Sequence, residues 1–514
     1  MKNKQKFLLI FIGVVLTLFI YPGSVEAASN KVLLVYDSEN TAKGDYAKID
    51  SIQRILTSLN LRVKTVSQEN YYKGMLNQNY LGVVTLINWP QVGLTNQIFI
   101  RDRQRFKGIK LHIGDNLTNS EAATLGGKRQ KIYQQQLLLK DQGNQQLLPF
   151  SETMTVLSQL KKTTQKFGVL ASQQKFERRY SYGVINNQNG YLPYFETSGL
   201  SFMTAVSTMA HLFDRNGNYR PLLTITGVSP YSDLKFLDQV SKYCYQQNIP
   251  FAVSTVTVSA NTEMAAYHRF TTVLKKVEDR NGIIFLQTPQ VGGATSASAQ
   301  ELNERMTASI VAFANHQIYP VGISSAGYWN QDRVLRQEAL VKANQWLLLP
   351  SKTTTFVKQD NNAQIARQSF FAVTANSLGT IKQKNDLKFA IPTAITIPVP
   401  TSMAKMTDFK RQIKALHIQW YNPVDQNLET KINTGSTVVA YKAGSYFLNG
   451  QRKTITAKIS SVNENLQKTK TQPLFSRFFH LQGNILMLFF AFVLIVLLIF
   501  ISFGRRIYWR MFKR

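Results

Sequence analysis

At 514 residues, 44% hydrophobic and 17% charged, the chain can bury several cores, which excludes global disorder and predicts about three domains. Its 60 Lys and Arg against 29 Asp and Glu give a net charge of +31, so its electrostatic partners are expected to be anionic. The single cysteine, Cys244, excludes an intrachain disulfide framework, and the six histidines lie too far apart for a local His-x-x-x-His metal motif.

Lys2, Lys4 and Lys6 precede an apolar run over 7–21 and the small residues Ala27 and Ala28. This is the layout of a secretory signal peptide over 1–27, cut after Ala27; an uncleaved N-terminal anchor is the alternative, although the run is short for a span. An α/β domain is expected over 30–218. Lys31-Val32-Leu33-Leu34-Val35-Tyr36 reads as a buried strand, and Ile49, Ile52, Ile55, Leu56 and Leu59 follow at helical spacing. Further strands are expected at 62–66, 81–87 and 110–114, so strand and helix alternate as in a doubly wound sheet. The stretch 130–218, with its Asn189-Gly190 turn, is expected to be a β elaboration of that domain. Asp37 and Glu39 follow the first strand, where such a domain places its ligand site. Two carboxylates at that spacing suit acid/base work or cation binding; the alternative is that they cap the next helix.

A second unit is expected over 220–425. Strands at 222–226, 251–256, 282–286 and 319–323, separated by helices at 234–246, 265–278 and 299–315, predict a parallel (β/α) barrel or open sheet, which 346–349 and 394–399 continue. The loop after the first of these strands reads Thr226-Gly227-Val228-Ser229-Pro230, and Asn248-Ile249-Pro250-Phe251 opens the next strand.

Over residues 220–330 these words resemble polysaccharide deacetylases of the NodB type. The closer likeness is to a deacetylase-like branch whose first strand ends in Asp-Asp-Val-Ser-Pro. The resemblance implies a deacetylase-like (β/α) barrel of carbohydrate ancestry. The family's chemistry uses an Asp pair, one as general base and one on a divalent metal, and a His-Ser/Thr-x-x-His run with both histidines on the metal. The matching positions here are Thr226 and Gly227, then Gln287 and Val291, with Thr288 retained. These side chains are neither bases at neutral pH nor good zinc ligands. The resemblance therefore implies a degenerate site with no catalytic residue, no metal and no cofactor. What the mouth keeps is Thr226, Tyr231, Gln287, Gln290, Tyr328 and Trp329, a mixture of stacking faces and neutral hydrogen-bonding groups suited to sugar rings. Ordinary packing is the alternative for Tyr328 and Trp329. No phosphate loop, Gly-x-Ser-x-Gly elbow or Cys/His pair points to another chemistry.

Short alternating strands with an Asn449-Gly450 turn predict a small β module over 426–462, and the polar stretch 463–484 reads as a juxtamembrane linker. Residues 485–503 form an apolar run whose length, at 1.5 Å per residue, is ~28 Å and matches a bilayer core. The basic tail 504–514 carries Arg505, Arg506, Arg510, Lys513 and Arg514 beside Tyr508 and Trp509, the signature of a cytoplasmic flank. The chain is thus expected to be single-pass in the cell membrane, with its N-terminal part outside. There its partners would be a cell-surface polysaccharide or an anionic wall polymer, and not nucleic acid.

Three functions fit. The first is a membrane-anchored pseudo-deacetylase that binds or assembles a surface polysaccharide or other envelope polymer. The second is a glycan hydrolase working through Asp37 or Glu39 and a second carboxylate across a cleft. The third is an adhesin-like protein whose basic surface binds wall polyanions in a salt-sensitive way.

Overall fold

The computed structural model describes residues 30–172, 178–289, 298–351, 360–379, 381, 387–454 and 476–512. The chain divides into two compact units, Met1–Ala457 and Lys458–Arg514. The expected signal over 1–27 lies outside the described residues.

The first unit opens with four parallel strands, β1 (Lys31–Tyr36), β2 (Arg62–Ser67), β3 (Gly82–Leu86) and β4 (Ile109–Ile113). β1 and β3 are near-continuous apolar runs and β4 is largely buried, as parallel strands between helices require, while the edge strand β2 keeps Arg62 exposed. Residues 128–192 add β5 (Lys128–Gln135), β6 (Leu137–Asp141), β7 (Asn144–Leu147), β8 (Ser151–Ser158), β9 (Gln165–Ser172), β10 (Arg179–Asn186) and β11 (Asn189–Leu192). Five of these extend the same sheet, giving the order β2-β1-β3-β4-β11-β10-β9-β6-β7, while β5 and β8 pair separately. The joint is β11, which runs parallel to β4 on one side and forms a hairpin with β10 on the other. That hairpin turns at Asn187, held at φ 52, before Asn189-Gly190 enters the strand.

Seven parallel strands close a barrel: β12 (Leu222–Val228), β13 (Phe251–Thr255), β14 (Gly282–Gln287), β15 (Gly322–Ala326), β16 (Gln345–Leu349), β17 (Gln368–Thr374) and β18 (Thr393–Pro398), with β18 pairing back to β12. The fourth strand starts at Gly322 rather than Tyr319, because Pro320 has no N–H to give to a ladder. Cys244 is buried on the helix Leu234–Gln246, and burial pushes its thiol up to about 12.

The first sheet and the barrel share one hydrophobic core. The helix Tyr46–Ser58 packs on β2 and on β17 at once, so it is enclosed on all sides from Ile49 to Ser58. The polar groups this encloses are satisfied across the junction. Arg54 donates from Nε to Asp50 at 2.8 Å and from Nη1 to the carbonyls of Leu348 at 3.4 Å and Ala372 at 3.2 Å. Its guanidinium also lies 4.1 Å from the Phe371 ring centroid. Asp50 in turn accepts from Ser351 Oγ at 2.6 Å. The helix Gly199–Leu212 supplies a second contact to the barrel, Phe202 stacking on Phe371 at 5.1 Å.

At the amino-terminal end of the barrel, β19 (Glu429–Asn433), β20 (Val438–Lys442), β21 (Ser445–Leu448) and β22 (Gln451–Lys453) form an antiparallel meander. Tyr446 meets Tyr319 at 5.8 Å, and the Asn344 N–H donates to the Lys431 carbonyl at 3.1 Å.

Among its described residues the second unit contains one helix, Ser476–Phe512, of which Ile485–Met511 is long and apolar enough to cross a membrane. It begins inside the stretch read as a linker and runs on through Arg505, Arg506 and Arg510, since arginine is a good helix former and Gly504 alone does not break a helix of this length. Residues 463–475 of that linker lie outside the described residues.

Candidate functional site

The register identifies the barrel's inward face. Ser254 on β13 and Ser324 on β15 bond hydroxyl to hydroxyl at 2.7 Å across the intervening β14, which only two side chains pointing into the lumen can do. Following parity through the paired strands, Ser254 aligns with Phe285, Gln287 with Ser324, Thr226 with Pro398 and Thr224 with Thr396. The inward residues at the carboxyl end are therefore Thr226, Ser254, Gln287, Ser324 and Thr396. Gln287 accepts from Ser254 Oγ at 3.4 Å and Thr396 donates to the Val373 carbonyl at 3.0 Å. Lower down, Phe285 fills the lumen against Phe370 at 6.3 Å, so the barrel is packed below and hydroxylated above.

Thr226 and Gln287 are half-buried at this mouth, above the fully enclosed Ser254 and Ser324. Gly227 stands next to Thr226 at a bulge in β12 with φ 74 and open space where a Cβ would sit. The position has room for a carboxylate, and the chain carries none there. Among the described residues, no group of three or more His, Cys, Asp or Glu is placed to hold a metal ion.

The remaining mouth residues divide. Tyr231 is 89% exposed within the Ser229–Ser232 turn. Tyr328 is half-buried on the short helix Tyr328–Gln331 that follows β15. Trp329, its neighbour, is only 2% exposed and packs in the core, in line with the packing alternative: on this single helical turn the indole faces inward. Gln290 lies outside the described residues, as does Val291.

Asp37 is also buried, and backbone amides hold its carboxylate. Its Oδ1 accepts from the backbone N–H of Asn88 at 2.7 Å and of Ser38 at 2.7 Å, and its Oδ2 from Trp89 N–H at 2.8 Å. Both oxygens thus clasp the loop after β3 to the end of β1, and no helix start is capped by them. Burial pushes this carboxyl above its ordinary value against the pull of those amides. Glu39 is exposed and interacts with Tyr36, whose hydroxyl is raised to about 12 by burial and then by that carboxylate.

What the sequence did not reveal is that these two regions meet. Tyr46, at the start of the helix Tyr46–Ser58, is raised to about 12 by burial, with further contributions from Asp50, Glu39, Tyr328 and Tyr36. Three half-buried tyrosines, Tyr36, Tyr46 and Tyr328, therefore share one neighbourhood where the first sheet's carboxyl edge reaches the barrel mouth. No local motif signals this, because the proximity follows from the helix that both halves share.

A charged cluster lies elsewhere, on the face of β4. Arg103 pairs with Glu121, whose Oε1 also lies 3.8 Å from His112 Nδ1, and Nε2 of that ring donates to the Asp115 carbonyl at 2.7 Å. Burial opposes ionisation of Glu121, but Arg103 and then His112 reverse this and hold its carboxyl well below the usual range. Glu121 also closes a capping box with Thr118, so the cluster ties a helix start to the sheet.

No protein-family model matches the chain, and no curated protein matches it. Among solved structures it is similar to the Bc1960 peptidoglycan N-acetylglucosamine deacetylase, crystallised in complex with 4-naphthalen-1-yl-N-oxidanyl-benzamide. The match has 12% identity, covers 39% of this chain and 84% of that one, and has a TM-score of 0.24. A likeness of that size carries no argument about activity.

Proposed function

We propose that this is a membrane-anchored envelope protein whose barrel binds a cell-surface polysaccharide or related polymer without cleaving it. The observation that carries the reading is the mouth: Thr226 and Gln287 point inward where the resemblance would require a carboxylate and an imidazole, above the inward hydroxyls of Ser254 and Ser324. Neutral hydroxyls and an amide beside half-buried tyrosines form the surface that sugar rings select, with rings stacked and hydroxyls hydrogen-bonded. The apolar helix 485–511 supports anchoring in the cell membrane. The basic tail behind it supports an arrangement with the barrel outside and the tail in the cytoplasm.

The test is titration of the full chain, held in non-ionic detergent, with neutral glucosamine-containing oligomers. Tyr328→Ala and Gln287→Leu are each expected to weaken binding about tenfold, the scale of one stacking face or one buried hydrogen-bond pair. Added salt should leave the affinity nearly unchanged. Binding that is indifferent to both substitutions, or absent altogether, would move the function away from the mouth.

A further inference from the structure

A second binding surface lies away from the barrel mouth, where the edge of the first sheet meets the loops of the barrel. A groove of about 440 Å³ is lined by Lys31 at the start of β1, Arg62 and Lys64 on β2, and Arg336 on the helix Arg333–Glu338. Among the described residues four cations there face one carboxylate, Asp360, with the half-buried Tyr80 on the wall. That carboxylate is already committed: Arg336, itself 4% exposed, donates from Nη2 to Asp360 Oδ2 at 3.3 Å and from Nη1 to the Asn330 carbonyl at 2.8 Å. Lys64 donates to the Asp360 main-chain carbonyl at 2.9 Å, an acceptor without formal charge. The groove keeps a net positive charge over a floor fixed by a buried arginine.

Edge strands often carry lysine or arginine simply to repel other edges. That explanation fails here because the outer edge of β2 is already paired. Lys64 bridges Asn362, the Thr65 N–H donates to the Asn361 carbonyl at 2.9 Å, and the Ala363 N–H donates to the Val63 carbonyl at 2.7 Å. An edge sealed in this way needs no charged guard. Gathering like charges raises the self-energy of the fold, a cost that an anionic ligand removes.

We infer that this groove binds the anionic oxygens of an envelope glycan, as phosphodiester or uronate, at a site separate from the mouth. The choice of a glycan as carrier rests on the polymer-binding reading above; the anion site itself rests on the groove.

The experiment titrates the full chain in non-ionic detergent with three probes: a poly(glycerol phosphate) oligomer, an oligogalacturonate and a neutral glucosamine oligomer. Lys31→Gln/Arg62→Gln removes two exposed charges, and Lys405→Gln/Lys414→Gln removes two exposed charges from the distant helix Met403–Leu416. The groove pair is expected to weaken the better anionic probe about five- to tenfold and flatten its salt dependence, while the control pair changes it less than about twofold. Which anionic probe binds better identifies phosphate or carboxylate as the natural group. Equal losses from both pairs would show diffuse charge and overturn the site, as would anionic binding that the groove pair leaves unchanged. Because the neutral probe reads the mouth alone, its failure would count against the polymer-binding reading and not against the groove.

Discussion

Arg54→Met is expected to destabilise the Met1–Ala457 unit by about 3–5 kcal/mol, the scale seen when one partner of a buried ion pair is removed. Arg54 and Asp50 have side chains only 5% and 4% exposed, so water screens neither. The substitution strands Asp50 as a buried charge held by Ser351 alone, frees the carbonyls of Leu348 and Ala372, and removes the cation from the Phe371 face. The same residue links the first sheet to two barrel strands, so the loss falls on the junction between halves. Urea unfolding of the full chain in detergent, followed by tryptophan fluorescence, measures it. Adding Asp50→Asn should recover part of the loss, since the stranded charge then disappears. A loss below about 1 kcal/mol would mean that the junction does not depend on this pair.

Glu278→Gln is expected to act in the opposite direction, stabilising the protein at alkaline pH. Glu278 lies at the amino-terminal end of the barrel, where its Oε1 accepts from Tyr319 N–H at 2.8 Å and its Oε2 has no partner among the described residues. Burial raises its pKa from 4.5 to about 8, while the Tyr319 amide and Lys275 pull weakly the other way. Below pH 4.5 the group is protonated in both the folded and unfolded chain, and its contribution to stability is fully present. As pH rises from there towards 8, the unfolded chain gains by ionising while the folded carboxyl keeps its proton. Stability should therefore fall by ~1.4 kcal/mol per pH unit, about 3–5 kcal/mol in all, and level off above the folded pKa. The glutamine variant cannot ionise, so its stability should be flat across that window and exceed the wild type at its upper end. Parallel pH profiles for the two proteins would contradict this.

The barrel was legible in the sequence because parallel strands buried on both faces appear as short apolar runs between amphipathic helices. Leu222-Leu223-Thr224-Ile225 and Ile283-Ile284-Phe285-Leu286 are such runs, and both lie where the spacing places them. The strand β17 was not anticipated: Ser369-Phe370-Phe371-Ala372-Val373 is as apolar as the others, but no amphipathic helix in the preceding sequence announces it. In its place the Tyr46–Ser58 helix covers that strand from more than three hundred residues earlier in the chain. A local pattern cannot encode such a contact.

The same limit applies to the site. Thr226 and Gln287 lie at the strand ends where the spacing places them, whereas for Trp329 the sequence leaves stacking and packing open because one helical turn decides whether a ring faces solvent or core. Asp37 shows a related limit. An acidic residue after a strand looks available in sequence, and only the return of the Asn88-Trp89 loop shows that backbone amides occupy both its oxygens. The grouping of Tyr36 and Tyr46 with Tyr328 could not be foreseen at all, since it depends on how the first sheet docks against the barrel.

The central claim is that the barrel mouth recognises sugar without a metal-dependent reaction. Its most direct test is acetate release from acetylated glucosamine oligomers by the full chain in detergent, with zinc, cobalt or nickel added and with chelator, while binding is followed on the same samples. The account predicts saturable binding with no acetate release under any metal. Metal-dependent release that chelator abolishes would contradict it, and would mean that groups other than Thr226, Gly227 and Gln287 assemble a working centre at the mouth.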